Sequence, residues 1–208
     1  MRTLILTSSG SFITENNIDQ HLPKKITDCK IAYIITASKK VDDLTYIEKH
    51  CQKMNELNFS YTKIDIDGKK ENKLRRILDG YDIVMVEGGN TFYLLKAVRE
   101  SGFNNVIEEL IAKGVVYIGS SAGSYIVSPS IIMATWSPGF DRCGIIDYKA
   151  MNLIPFLIGV HYTPDKYELF KEKAKDLKYP VRILNDKQAI LVQDDKFQLL
   201  GGDDEIIL

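Results

Sequence analysis

VVYIGSSAGSYIV, residues 115–127, decides the fold. Its first half, Val115 to Ile118, is continuously apolar, as a strand covered on both faces should be. Gly119-Ser120-Ser121-Ala122-Gly123 then interrupts the run, and the residues beyond read as a helix. The pattern is G-x-S-x-G in the strand-turn-helix setting of a nucleophile elbow. A serine at the tip of a sharp, strained turn tolerates only small neighbours, which Gly119, Ala122 and Gly123 supply. The same turn aims the first amides of the following helix at an oxygen that becomes anionic, and the N–H of Ala122 comes directly after Ser121. Two other readings compete: a Gly-rich turn that packs a helix on a strand, and a phosphate-binding loop. The second lacks both G-x-G-x-x-G and G-K-S/T.

Upstream of the elbow, short apolar runs alternate with longer amphipathic ones, the pattern of βαβ units and a parallel sheet. Strands are predicted at 2–7, 31–37, 61–66, 82–87 and 115–119, so the elbow follows the fifth. Leu44, Ile47, Cys51 and Met54 share one face of a helix that starts near residue 42, which makes Cys51 a core residue. Leu74, Ile77 and Leu78 mark a second helix ending near Asp79-Gly80. Phe92, Leu95, Val98, Val106 and Leu110 mark a helical region broken near Ser101-Gly102. The fold class is α/β: a mostly parallel, doubly wound sheet with flanking helices, in one domain over residues 1–208. Downstream, an irregular stretch from Ser137 to Asn152 has a length that is often functional. A helix follows with Tyr167, Phe170, Ala174 and Leu177 on one face and Lys166, Lys171, Lys173 and Lys175 solvated. The predicted strands Val181–Leu184, Ala189–Gln193 and Phe197–Leu200 either complete the sheet or form an edge for a homo-oligomer.

Composition removes other classes. The 208 residues are 45% hydrophobic and 26% charged, which is globular, and 27 Lys+Arg against 28 Asp+Glu give a net charge of -1. No whole-chain field exists to hold nucleic acid or an anionic membrane surface. No apolar stretch approaches the roughly 18 residues of a membrane span, and Leu4-Ile5-Leu6 is too short for a signal peptide. Cys29, Cys51 and Cys143 lack metal-ligand spacing and suit reduced thiols, so the expectation is a cytoplasmic protein without metal or cofactor.

An elbow serine needs a base, and the histidines are His21, His50 and His161. His21 lies in a polar connection and His50 beside Cys51 on a helix, so both read as structural or solvent-facing. His161 ends the apolar run 156–160 and comes after the serine, as the base does in elbow enzymes. The second glycine pair, Glu87-Gly88-Gly89-Asn90-Thr91, stands at the C-terminal end of the fourth strand, the edge where open α/β sheets bind ligands. With Asn90 or Thr91 as helix N-cap, it is either a simple capping turn or the source of a second oxyanion donor, the N–H of Gly89, beside Ala122.

EGGNTFYLL (87–95), GSSAGS (119–124), NLIPFLIGVHYT (152–163) and the opening RTLILTSSGSF (2–12) together resemble the serine peptidase family that contains dipeptidase E and cyanophycinase. The resemblance implies a class I glutamine-amidotransferase-like fold and hydrolysis of a small peptide through an acyl-enzyme. It also implies Ser121 as nucleophile, His161 as its partner, and Gly89 with Ala122 as oxyanion hole. Two positions depart from the family. Trp136 stands where the resemblance implies the triad acid, so the acid is elsewhere or absent; Asp141 and Asp147 lie in the right interval, and Asp141 is preferred as the nearer. TPDKYELFKEK (163–173) has no counterpart of the family's arginine-bearing segment, which speaks against aspartyl dipeptides as substrates. The rival expectations are a non-catalytic member that binds a peptide or metabolite, motivated by Trp136, and a serine esterase.

Overall fold

A computed structural model describes residues 1–137, 139–202 and 204–208. From the N-terminus, β1 (Thr3–Thr7) leads through the short α1 (Ser11–Glu15) and two 3-10 turns to β2 (Lys30–Ile34). Next come α2 (Thr45–Glu56), β3 (Ser60–Ile64), α3 (Glu71–Ile77), β4 (Ile83–Val86), α4 (Thr91–Ser101), α5 (Phe103–Ala112) and β5 (Val116–Ser120). After the one-turn α6 (Ala122–Tyr125) the chain runs through β6 (Leu157–Gly159), α7 (Tyr167–Ala174), β7 (Val181–Ile183), β8 (Ala189–Gln193), β9 (Lys196–Leu200) and β10 (Ile206–Ile207).

The large sheet has the order β3-β2-β4-β5-β1-β8-β9, with the first five strands parallel and β8 and β9 antiparallel. Period-two alternation sends Leu4, Leu6, Ile34, Val84, Val86 and Tyr117 into one core layer, and Ile5, Tyr33, Ile83, Met85 and Ile118 into the other. Helices α1 and α2 cover the second layer through Phe12, Ile13, Ile47, Cys51 and Met54; α3 to α6 cover the first. β1, β4 and β5 are thereby buried along their whole length, which is why they are apolar without alternation. The sheet is the mostly parallel, doubly wound one that the sequence predicts. β8 and β9 complete it, while β6, β7 and β10 form a separate three-stranded sheet.

Local chemistry explains the boundaries. The break between α4 and α5 falls at Gly102, whose φ of 73° closes the first helix with its N–H on the Val98 carbonyl. Asn90 caps α4 by accepting from Tyr93 N–H at 3.0 Å. The second strand stops at Ile34 instead of running to 37. The Thr36 hydroxyl takes the Ile66 N–H and donates to Asp65, so residues 36–40 form a 3-10 turn that leaves the ladder. Among the described residues no helix is long and apolar enough to cross a membrane.

Candidate active site

Parallel pairing aligns the C-terminal ends of β4, β5 and β1, with Val86 opposite Gly119 and Thr7 opposite Ser120. The segments that leave these strands, Ser8 to Gly10, Glu87 to Gly89 and Ser121, therefore meet at one edge. Together with His161 they line a cavity of about 280 Å³.

Ser121 sits at φ 48° and ψ -104°, a region that non-glycine residues rarely enter. Its own N–H donates to the Thr7 carbonyl, and its carbonyl accepts from Ser124 and Tyr125, so the turn is held from both sides. The flanking glycines have no room for a side chain. A Cβ on Gly119 would lie 2.6 Å from the Gly123 carbonyl oxygen, and one on Gly123 would lie 2.2 Å from that of Val86. Such strain persists only where the surroundings over-determine it, and here it projects the serine hydroxyl into the cavity edge.

His161 follows β6 and also adopts a positive φ, 54°. Its Nε2 lies 2.9 Å from Ser121 Oγ and its Nδ1 lies 2.7 Å from Asp186 Oδ1. Because a carboxylate only accepts, this contact puts the ring proton on Nδ1 and leaves Nε2 free to accept from the serine. Ser8 closes a ring: its hydroxyl donates to Asp186 at 2.7 Å and accepts from the His161 N–H at 2.7 Å. The hydrogen bond from His161, with that from Ser8, holds the Asp186 carboxyl below the usual range, so it is ionised at neutral pH. The His161 and Asp186 side chains are about half exposed, 50% and 58%. At that exposure solvent screens the attraction within the pair.

Asp141 is not the carboxylate on the imidazole. Its side chain accepts from Cys143 N–H and its carbonyl from the Asn90 amide, so it shapes the loop over α4. Asp147 likewise turns back on Lys149 N–H and pairs with Arg99. Trp136 packs edge-on against Phe170 with Lys173 over its ring. Asp186, which sequence reasoning missed, lies in the tight turn between β7 and β8. Ser8 was missed with it.

On the other wall, Gly89 adopts φ 135° with its α-carbon pressed on residue 37: an added Cβ would lie 2.6 Å from the Ala37 carbonyl. Neither its N–H nor that of Ala122 has a hydrogen-bond acceptor among the described residues; Gly89 lines the cavity, and Ala122 is buried directly after Ser121 in the chain. Gly88 approaches the elbow so closely that a Cβ there would stand 3.1 Å from Ser121 Cβ. A buried cluster fixes this strand end. Glu87 accepts from Gly88 N–H at 2.7 Å and from Tyr33 OH at 2.5 Å, with His50 Nδ1 at 2.6 Å, and Tyr46 OH holds the Gly88 carbonyl. Burial pushes the Glu87 carboxyl up, but the bonds from His50, Tyr33 and Gly88 outweigh it and hold the group low. His50 is thus buried and structural rather than solvent-facing. His21 lies half-buried on the 3-10 turn 19–21, against the Gln20 side chain. Among the described residues no group of three His, Cys, Asp or Glu side chains is arranged to hold a metal.

A serine, an imidazole and a carboxylate in hydrogen-bonded series, at an elbow where two backbone amides lack an acceptor among the described residues, form a constellation suited to acyl transfer. Comparison with known proteins places the chain among peptidases. A protein of Listeria innocua named as an uncharacterized peptidase is 30% identical over 205 residues, covering 94% of this chain and 95% of its own. Peptidase E of Escherichia coli is 40% identical over 86 residues, 41% of this chain and 36% of its own. A crystal structure of a "Putative Peptidase E Protein" from Listeria monocytogenes superposes with a TM-score of 0.84 at 25% identity, covering 98% of this chain and 100% of the other. Residues 4–200 match the family described as peptidase family S51, and the chain belongs to that family.

Proposed function

We propose that the protein is a serine-type peptidase that cleaves a peptide bond in small peptides through an acyl-enzyme on Ser121. The observation that carries this reading is the series Ser121 Oγ, His161 and Asp186, at 2.9 Å and 2.7 Å. Ser121 Oγ attacks the carbonyl carbon while His161 Nε2 takes its proton. The resulting oxyanion is received by the Gly89 and Ala122 amides, and His161 returns the proton to the leaving amine. Water then attacks the ester with His161 as base, and Ser121 is released with its hydroxyl restored. Asp186, steadied by Ser8, keeps the Nδ1 tautomer and compensates the imidazolium that forms. No step calls for a metal or a cofactor.

The reading of the protein as a non-catalytic binder rested on Trp136 standing in for the acid. With Asp186 on the imidazole that motive is gone. A cavity of about 280 Å³, at the low end of ligand-pocket volumes, supports a small substrate. Three unpaired thiols, Cys29 and Cys51 buried among them, support a reducing, cytoplasmic setting. The test is amine release from a library of dipeptides and tripeptides. Turnover that vanishes in Ser121→Ala and His161→Ala is expected; turnover that survives in both would overturn the assignment.

A further inference from the structure

We infer that the substrate residue seated in the cavity beside Ser121 carries an uncharged, apolar side chain, so that the preferred peptides present a large aliphatic or aromatic residue at the scissile bond. This rests on the peptidase reading and specifies its substrate class.

Most of the surface that walls the cavity is apolar, with Val41, Tyr46, Phe92, Tyr125, Phe140 and Val160 in it, and its uncharged polar groups include the hydroxyls of Ser9, Thr91 and Ser137. No lysine or arginine is among the described residues that line it. The Lys166 ammonium donates at 2.8 Å to the His161 carbonyl and is not part of the lining, and Lys49 and Lys53 line the adjoining hollow beyond Tyr46 and Glu87 rather than this one. The one carboxylate in the wall, Glu87, is 2% exposed, with both oxygens engaged by Gly88, Tyr33 and His50.

These features act together on a charged substrate side chain. An acidic one would give up its hydration to mostly apolar walls and find no cation in the lining. A basic one would lose hydration equally, and the carboxylate that could receive it is already saturated and covered. An aliphatic or aromatic side chain gains from burial against the same walls and leaves no polar group unpaired.

The test uses dipeptides with Leu, Phe, Asp or Lys on either side of the bond and Ala opposite. Turnover is measured with the wild-type protein, and binding to Ser121→Ala is measured by calorimetry. At one of the two positions Leu and Phe are expected to exceed Asp and Lys by about tenfold or more in kcat/KM, the discrimination that an unpaired buried charge produces, with the same order in binding. Asp or Lys peptides served as well or better at both positions would overturn the inference while leaving the peptidase reading standing. Tighter binding of Leu and Phe peptides without turnover of any peptide would uphold the apolar cavity and sink the peptidase reading instead.

Discussion

Nδ1 of His161 lies 2.7 Å from Oδ1 of Asp186, across 25 residues of sequence. Neither residue lies in a strand: His161 leaves β6 of the small sheet, and Asp186 sits in the turn that joins β7 of that sheet to β8 of the large one. Ser8, from the end of β1, is hydrogen-bonded to both. The site is therefore assembled where the two sheets meet.

Asp186→Asn retains the shape of the acid but favours the wrong imidazole tautomer. It should lower kcat with little change in KM, by less than the about 10⁴-fold seen where a triad acid is buried, because this pair is half exposed. Asp141→Asn and Asp147→Asn should leave kcat within about twofold, since surface loop changes are near neutral. Steady-state kinetics on one peptide ranks all three.

Gly89→Ala forces a Cβ against the Ala37 carbonyl and swings the Gly89 amide away from the cavity. Loss of an oxyanion donor costs about 10²- to 10³-fold in kcat, so kcat should fall by that order while KM changes little. A comparable rise in KM with kcat unchanged would place Gly89 in substrate binding instead.

Gly123→Ala meets the Val86 carbonyl at 2.2 Å in the middle of the fold, where backbone cannot yield cheaply. A large fall in melting temperature, or failure to accumulate folded protein, is expected. Circular dichroism melts against wild type read it directly.

Glu87 gives stability a defined pH dependence. Its folded-state pKa lies below the ordinary 4.5, so the unfolded chain takes up a proton first as pH falls. The stabilisation is present above about 4.5 and is lost as pH falls through the folded value. Urea unfolding should weaken on acidification below 4.5, and Glu87→Gln should be less stable at neutral pH with a shallower acid-side decline. An unchanged slope in that variant would place the acid sensitivity elsewhere.

Trp136→Asp puts a carboxylate where the family resemblance implied one. It removes the Trp136 contact with Phe170 on α7, so it should cost roughly 1–3 kcal/mol of stability, a partial-burial share of the large-to-small range, without raising kcat. Thermal unfolding and kinetics on the same preparation separate the two effects.

The parts of the candidate site set by local pattern were legible in the sequence. The run from Val115 to Val127 announces its own strand, turn and helix, because only small residues fit around Ser121. His161 stood out at the end of an apolar run, and Gly89 beside an N-cap. Asp186 was not legible, for a topological reason. Its turn reaches the elbow because β8 runs antiparallel to β1, which brings Ala189 opposite Thr7 and the preceding residues to the C-terminal edge of the parallel strands. Periodicity identifies β8 as a strand but not its partner or direction. An acid sought by distance along the chain therefore fell on Asp141, which the Asn90 side chain and Cys143 hold in the loop over α4.

The most direct test of the relay is intact-mass analysis after treatment with a fluorophosphonate, comparing wild type with Ser121→Ala, His161→Ala, Asp186→Asn and Asp141→Asn. One adduct on Ser121 is predicted, absent in the first two variants, slowed in Asp186→Asn and unchanged in Asp141→Asn. Labelling that survives in Ser121→Ala, or that slows in Asp141→Asn but not in Asp186→Asn, would contradict a site built from Ser121, His161 and Asp186.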